Sequence, residues 1–172
     1  MKETLNIESR NDREPSRKDM GEFFRLGLLA GLCEPSDVAR WADTIVASER
    51  SPHIAFIELC IAASQSASSV QSLLHEVPGQ ATPDLPFLML LGHSARLLAA
   101  HTYSPKQLLL RLYRLARVEL PESIYLELVG LEDAYSLVRD GVYGTLAEIA
   151  QHITAFLNEY ESYAPDASTG YA

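Results

Sequence analysis

The sequence predicts an all-α fold, a single-domain bundle of about seven or eight amphipathic helices around a central buried helix. Three observations predict it. Apolar residues recur at the helical period of 3.6 residues along most of the chain. Ser, Thr and Pro helix-start signals interrupt that pattern at intervals of ordinary helix length. The chain has 172 residues, of which 47% are hydrophobic and 22% charged, as is usual for one globular domain.

Three parts of unequal length are predicted along the chain. Residues 1–18 are polar and charged and are expected to form a mobile N-terminal arm. Residues 19–164 form the helical domain, and residues 165–172 are expected to be a flexible C-terminal tail. The N-terminus has no secretory segment, and no stretch reaches the ~18 apolar residues of a membrane span. We therefore expect a cytoplasmic protein that does not bind membranes.

Four helices are predicted in the first half of the domain. The first, 21–32, is rich in Phe and Leu, and Pro35 suits the first turn of the second. The second helix carries apolar residues at the spacing of one face, namely Val38, Trp41, Ala42 and Ile45. Segment 54–63 is apolar enough for a strand, but no turn-linked partner strand follows it, so a helix is predicted. A shorter helix is predicted at 66–77.

The second half of the domain begins with the predicted central helix. Residues 84–101 are apolar on every side of a helix, which is typical of a fully buried one. Two later helices start with capping boxes, in which side chains three residues apart bond each other's backbone N–H groups. Ser104 and Gln107 form the first box, and Thr145 and Glu148 form the second. Between these helices, residues 121–138 are predicted to be helical.

The sequence predicts no catalytic, cofactor or metal site. Cys33 and Cys60 are interpreted as reduced, mostly buried thiols. None of the five histidines lies at metal-ligand spacing from another on one helix. The sequence contains no nucleophile elbow and no glycine-rich phosphate loop. Folding can assemble a site from distant segments, but these observations favour a protein that is not an enzyme.

The net charge of −9 is concentrated in the last third of the chain. Acidic and basic residues are equal in number over residues 1–117, whereas residues 118–172 contain ten acids and one base, Arg139. An acidic surface repels nucleic acid and attracts basic proteins. Six of the eight tyrosines also follow residue 118, and tyrosine is common at binding hot spots. We therefore predict a basic protein partner and no nucleic-acid partner.

The predicted partner-binding residues are acids and tyrosines of this region that are expected to be exposed: Glu127, Glu132, Asp133, Asp140, Tyr143 and Tyr163. The competing interpretation is that the acids only aid solubility and the tyrosines lie at the edge of the core. A second charged pattern is the stripe Arg111, Arg114 and Arg117. We expect these arginines to pair internally with Glu119, Glu122 or Glu127. The alternative is that they bind a partner, as a three-arginine nucleic-acid patch.

Two passages of the sequence carry a pattern that resembles known proteins. One comprises residues 131–137 (Leu-Glu-Asp-Ala-Tyr-Ser-Leu), residues 140–144 (Asp-Gly-Val-Tyr-Gly) and a helix ending in Phe-Leu-Asn-Glu-Tyr at 156–160. The other is 32–45, which contains Glu-Pro-Ser-Asp-Val-Ala-Arg-Trp-Ala-Asp. Both passages resemble small acidic all-helical bacterial proteins of the toxin-immunity kind. The resemblance implies an immunity protein that neutralises a toxin. It carries over no functional residue.

A non-catalytic protein-binding inhibitor is therefore the predicted function, with the acidic, Tyr-rich surface covering a basic toxin such as a nuclease. The alternative is a helical structural or regulatory module that binds its partner through an apolar groove. Salt separates the two, because charge-led association weakens as the Debye length falls toward ~3 Å at molar salt. Neither function needs a cofactor, and the sequence does not indicate an oligomeric state.

Overall fold

Eight α-helices and two short 3-10 helices make up the residues that the computed structural model describes, 14–119 and 122–166. No β-strand occurs among these residues, so the all-α prediction is confirmed. The α-helices are α1 (Arg17–Ala30), α2 (Pro35–Ser48), α3 (Ile54–Leu59), α4 (Ala67–His75), α5 (Leu85–Ala99), α6 (Pro105–Glu119), α7 (Glu122–Arg139) and α8 (Leu146–Asn158). One 3-10 helix, Ala62–Ser64, follows α3, and the C-terminal 3-10 helix is Glu161–Tyr163.

Helix α5 is the central helix of the bundle. It packs against α1, α6, α8 and the C-terminal 3-10 helix. The side chains of Met89, Leu90 and Leu91 point in three directions around it and are all fully buried. This all-round burial explains why its sequence is apolar on every side, and it confirms the predicted central buried helix.

A chain of aromatic rings joins the first three helices. Phe23 and Phe24 of α1 have ring centroids 5.1 Å apart, and Phe24 lies 5.2 Å from Trp41 of α2. Trp41 in turn meets Phe56 of α3 edge to face at 5.6 Å. All four side chains are buried, and each such pair contributes about 0.5–1.5 kcal/mol beyond its apolar area.

The N-terminal boundary of the domain differs from the prediction. Helix α1 begins at Arg17 rather than at residue 21, because Ser16 and Asp19 form a capping box that the sequence reading missed. The amide of Ser16 donates to the carboxylate of Asp19 at 2.8 Å, and the amide of Asp19 donates to the hydroxyl of Ser16 at 3.1 Å. The last residues of the predicted mobile arm are therefore helical. Residues 1–13 of that arm lie outside the described part of the chain.

At the other end, the guanidinium of Arg96 on α5 donates to the carbonyl oxygens of Ala164 and Pro165. Pro165 is buried, so the first residue of the predicted flexible tail is packed against the domain. Residues 167–172 lie outside the described part of the chain. Among residues 14–119 and 122–166, no helix has both the length and the apolar character needed to cross a bilayer.

The helices in the second half of the domain begin where the sequence predicts. Both predicted capping boxes are present, with the Ser104 amide 2.9 Å from Gln107 Oε1 and the Thr145 amide 2.8 Å from Glu148 Oε2. The predicted helix at 54–63 is helical but shorter, because α3 ends at Leu59 and a turn leads into the 3-10 helix. The last helix, predicted to run from Thr145 to about Tyr163, is likewise divided, since α8 ends at Asn158 and the C-terminal 3-10 helix follows.

Candidate partner-binding surface

Helix α7 has an inner and an outer face. Ile124, Leu128 and Tyr135 are buried on the inner face, and the helix packs against α6 and α8. The outer face carries four exposed residues whose spacing of three or four places them in one row. This outer stripe of α7 consists of Leu126, Gly130, Asp133 and Leu137.

The turn between α7 and α8 is held by its own backbone. Helix α7 ends in a Schellman motif, in which the amide of Val142 donates to Leu137 O at 2.9 Å and that of Gly141 donates to Val138 O at 3.1 Å. Gly141 and Gly144 have φ of 72° and 78°, a region that favours glycine. The residues between these two glycines therefore have a defined conformation and point outward.

Several apolar side chains around this turn are exposed to solvent. Tyr143 is 81% exposed, Val142 68% and Leu146 60%. With Leu137 they make up four of the nine large apolar side chains that are exposed in the described part of the chain. Large apolar groups that cluster at the surface in this way usually mark a binding site. We define the turn surface as Leu137, Asp140, Val142, Tyr143 and Leu146.

Two carboxylates accompany these apolar groups. Asp140 accepts a hydrogen bond of 2.9 Å from Arg139, and this bond with the neighbouring positive charge lowers the pKa of the carboxyl. Asp133 lies in the outer stripe, is exposed, and forms no ion pair with any side chain that the structure describes. Its charge is therefore available to a partner, whereas that of Asp140 is shared with Arg139.

The six predicted site residues do not form one continuous surface. Asp133, Asp140 and Tyr143 belong to the outer stripe or the turn surface. Glu132 precedes Asp133 but points about 100° away around the helix, and it accepts a hydrogen bond from Ser136 at 3.2 Å. The acidic side chains of α7 therefore diverge, as adjacent residues on a helix must.

Glu127 and Tyr163 lie in a separate acidic group near the other end of α7. Glu127 is about 20 Å from Asp140 along the helix, at 1.5 Å per residue. Burial, followed by the charges of Glu127 and Glu159, raises the pKa of Tyr160 to about 12. Tyr163 belongs to the C-terminal 3-10 helix, which packs against α5. The predicted acidic surface is thus divided in two.

The three arginines of α6 have different surroundings. Arg111 Nη1 donates to the carbonyl oxygens of Ala30 at 2.9 Å and Gly31 at 3.0 Å, and the guanidinium stacks on the ring of Tyr103. Its bonding is internal, but the predicted acidic partner is wrong, because the guanidinium caps the C-terminal end of α1 instead. Arg114 and Arg117 are exposed and form no ion pair with a described side chain. The side chains of the other predicted partners, Glu119 and Glu122, lie outside the described part of the structure.

A groove of about 590 Å³ lies between the end of α1 and the outer side of α6. We call it the α1–α6 groove, and its lining residues are Leu28, Leu29, Ala30, Gly31, Gln107, Leu110, Arg111, Arg114 and Leu115. Its walls are mainly apolar, and its charged groups are guanidinium groups. The sequence reading missed this groove, because its two sides are separated by more than seventy residues of chain.

Two titratable side chains, the buried His93 and the half-buried Cys60, have pKa values shifted by their surroundings. His93 is buried on α5 with Nε2 3.3 Å from Leu32 O, and burial lowers its pKa to about 4, so the imidazole is neutral. Burial and the neighbouring Asp43 raise the pKa of the Cys60 thiol to about 11, which makes it a poor nucleophile. Within the described residues, no group of three or more His, Cys, Asp or Glu side chains is placed to hold a metal ion.

Known proteins give no further guide to this surface. No family model, no curated protein and no solved structure matches the chain. The resemblance to immunity proteins stays a prediction. The exposed apolar groups of the turn surface, and the carboxylates beside them, are what a function of this chain has to explain.

Proposed function

We propose that this protein is a non-catalytic inhibitor that binds a basic protein through the outer stripe of α7 and the turn surface. One observation carries the proposal. Exposed apolar side chains surround Tyr143, beside exposed carboxylates, in the third of the chain that accounts for the whole net charge of −9. An apolar centre with a polar, charged rim is the usual anatomy of a protein interface.

Tyr143 is the anchor of the proposed contact. An aromatic side chain buries about 150–250 Å² and loses few rotatable bonds when it is immobilised. The flanking glycines and the Schellman motif already hold its backbone, which reduces the entropy lost on binding. Leu137, Val142 and Leu146 supply the surrounding apolar area.

The carboxylates give the contact its preference for a basic partner. Asp133 lies in the outer stripe without an ion pair among the described side chains, so a lysine or arginine of the partner can approach it directly. Charges at the rim of an interface mainly accelerate association and select the partner. Gly130 has nothing within 4 Å of a methyl group placed on it, so a partner's backbone can come close to α7 there.

A toxin that acts on nucleic acid is the kind of partner that this chemistry suits. Such a protein holds phosphates with a cationic active site, and an inhibitor needs only shape and opposite charge to cover it. This is how an immunity protein works, and we propose that the chain does so in the cytoplasm of the cell that makes the toxin. The inhibitor itself performs no chemistry.

The experiment is a protection assay against the product of the gene that adjoins the gene of this chain. Cells express that protein together with the wild type, with Asp133→Lys/Asp140→Lys, or with the matched control Glu127→Lys/Glu159→Lys. Both variants change the net charge equally, but only the first alters the proposed surface. We expect growth with the wild type and the control, and death with the first variant. Full protection by the first variant, or none by the wild type, refutes the proposal.

A further inference from the structure

The α1–α6 groove is apolar with cationic groups, and the turn surface is apolar with a carboxylate. The groove has leucine walls and carries Arg114, which is exposed at its edge. The turn surface is exposed, is apolar at Val142 and Tyr143, and carries Asp140, whose carboxylate also accepts a hydrogen bond from Arg139. A groove of about 590 Å³ is within the size range of pockets that take up a compact ligand. One molecule therefore presents both halves of a possible contact.

The two surfaces also lie at the same end of the bundle. Lys106, near the start of α6, has its Nζ 5.3 Å from the centroid of the Tyr135 ring, near the end of α7. The first turn of α6 is therefore beside the last turn of α7. Gln107, which lines the groove, follows Lys106, and the turn surface begins just after Tyr135. A two-fold axis near this end can therefore bring the turn surface of each molecule to the groove of the other.

We propose that two copies of this chain form a symmetric dimer in which the turn surface of each occupies the α1–α6 groove of the other. In a two-fold dimer, a contact between residues i and j is repeated between j and i, so both grooves are filled. Tyr143 packs against the leucines and under the guanidinium of Arg114, as a cation–π pair. Asp140 faces the same guanidinium across the interface.

The contact is small. Each tyrosine buries about 150–250 Å². The two turn surfaces together therefore form an interface smaller than that of a stable protein complex, which is typical of transient association. We therefore expect the dimer to form at micromolar concentrations and to dissociate as salt rises, because its ion pairs are at the surface.

This inference does not rest on the proposed function, since it needs only the chain itself. If both hold, the dimer covers the turn surface, and a basic partner has to displace the second copy. If no dimer forms, the proposal that the chain binds a basic partner still stands. If the protection assay refutes the proposed function, the dimer proposal still stands.

The test is sedimentation velocity of the purified full chain, from low micromolar to several hundred micromolar, at low salt. We expect a monomer–dimer equilibrium that Arg114→Asp and Tyr143→Ser each weaken about tenfold or more, a loss of at least ~1.4 kcal/mol. The matched control is Arg117→Asp, which makes the same charge change on α6 outside the groove and leaves the equilibrium unchanged.

A charge exchange makes the test specific to the proposed pair. Arg114→Asp combined with Asp140→Arg restores the opposite charges and is expected to recover most of the dimer. A monomer at every concentration overturns the proposal. So does a dimer that Arg114→Asp and Tyr143→Ser leave intact, since another face, such as the exposed isoleucines 54, 57 and 61, then makes the contact.

Discussion

The guanidinium of Arg111 on α6 donates to the carbonyl oxygen of Ala30, the last residue of α1, at 2.9 Å. The same Nη1 donates to Gly31 O at 3.0 Å, so a single side chain satisfies carbonyl groups that have no partner within their helix. A positive charge at this position also complements the negative end of the α1 dipole. Arg111 thereby joins two helices that are far apart in sequence.

Replacing Arg111 is expected to destabilise the fold. Hydrogen bonds from a charged donor contribute about 1.5–3 kcal/mol, so we expect Arg111→Met to lower the free energy of unfolding by about 2 kcal/mol. Arg114→Met, one helical turn away and exposed, should change it by less than ~0.5 kcal/mol. Urea unfolding of both variants measures the difference. Equal effects of the two substitutions would show that Arg111 is not a structural cap.

Two helical glycines should respond in opposite ways to replacement by alanine. A methyl group on Gly92 would lie 2.5 Å from Tyr160 O and from the Ala164 amide, so the C-terminal 3-10 helix has to move. We expect Gly92→Ala to cost about 1–3 kcal/mol of stability. Gly130 on α7 has open space around it, and alanine favours the helix by up to ~1 kcal/mol. Thermal or urea unfolding that ranks these variants the other way would contradict the packing described here.

Acid should destabilise the protein through His93. Burial lowers its pKa to about 4, below the ordinary value of 6.5 that the unfolded chain retains. Between these values the unfolded state binds a proton that the folded state does not, so stability falls as the pH falls. The loss approaches ~1.4 kcal/mol per pH unit within this window.

The His93 contribution can be isolated by substitution. Urea unfolding from about pH 7.5 to about pH 5 should show a shallower loss of stability for His93→Gln than for the wild type. The comparison removes the effects of the carboxyl groups, which both proteins share. Identical pH profiles, or a His93 resonance that titrates near its ordinary pKa, would be incompatible with a buried neutral imidazole.

Cys60 should react slowly with alkylating reagents. Its pKa is raised to about 11 from an ordinary value of 9.0, and its Sγ donates to Phe56 O at 3.2 Å. At about pH 8 the thiolate fraction is then on the order of a hundredfold lower than in an unperturbed cysteine. Iodoacetamide labelling followed by mass spectrometry measures the rate, with the urea-unfolded chain as reference. Equal native and unfolded rates would refute the perturbed environment.

The helices could be predicted from sequence because their signals are local. Ser104 and Gln107 are three residues apart, and the all-round apolar run of α5 needs no knowledge of its neighbours. The partner of Arg111 could not be predicted, because the free carbonyl groups of α1 lie about eighty residues earlier and only the packing of α6 brings them close. The close approach of the C-terminal 3-10 helix to Gly92 could not be predicted for the same reason.

The exposed face of α7 is harder to predict from residue spacing than its buried face. Helix α7 has two rows of residues at helical spacing, one through Leu128 and Tyr135 and one through Leu126 and Leu137. Both rows are partly apolar, and the sequence spacing indicates the first row as the inner face but does not show what the second row does. Packing against α6 and α8 buries the first row and leaves the second exposed. The outer row was therefore missed, and acids that diverge around the helix were grouped together.

The central claim is that Tyr143 anchors the binding of a basic partner. Its most direct measurement is the dissociation constant of the basic protein used in the protection assay, for the wild type and for Tyr143→Ala, by titration calorimetry. A hot-spot tyrosine contributes about 2 kcal/mol or more, so we expect binding at least ~30-fold weaker in the variant. A dissociation constant within about twofold of the wild type would contradict the claim.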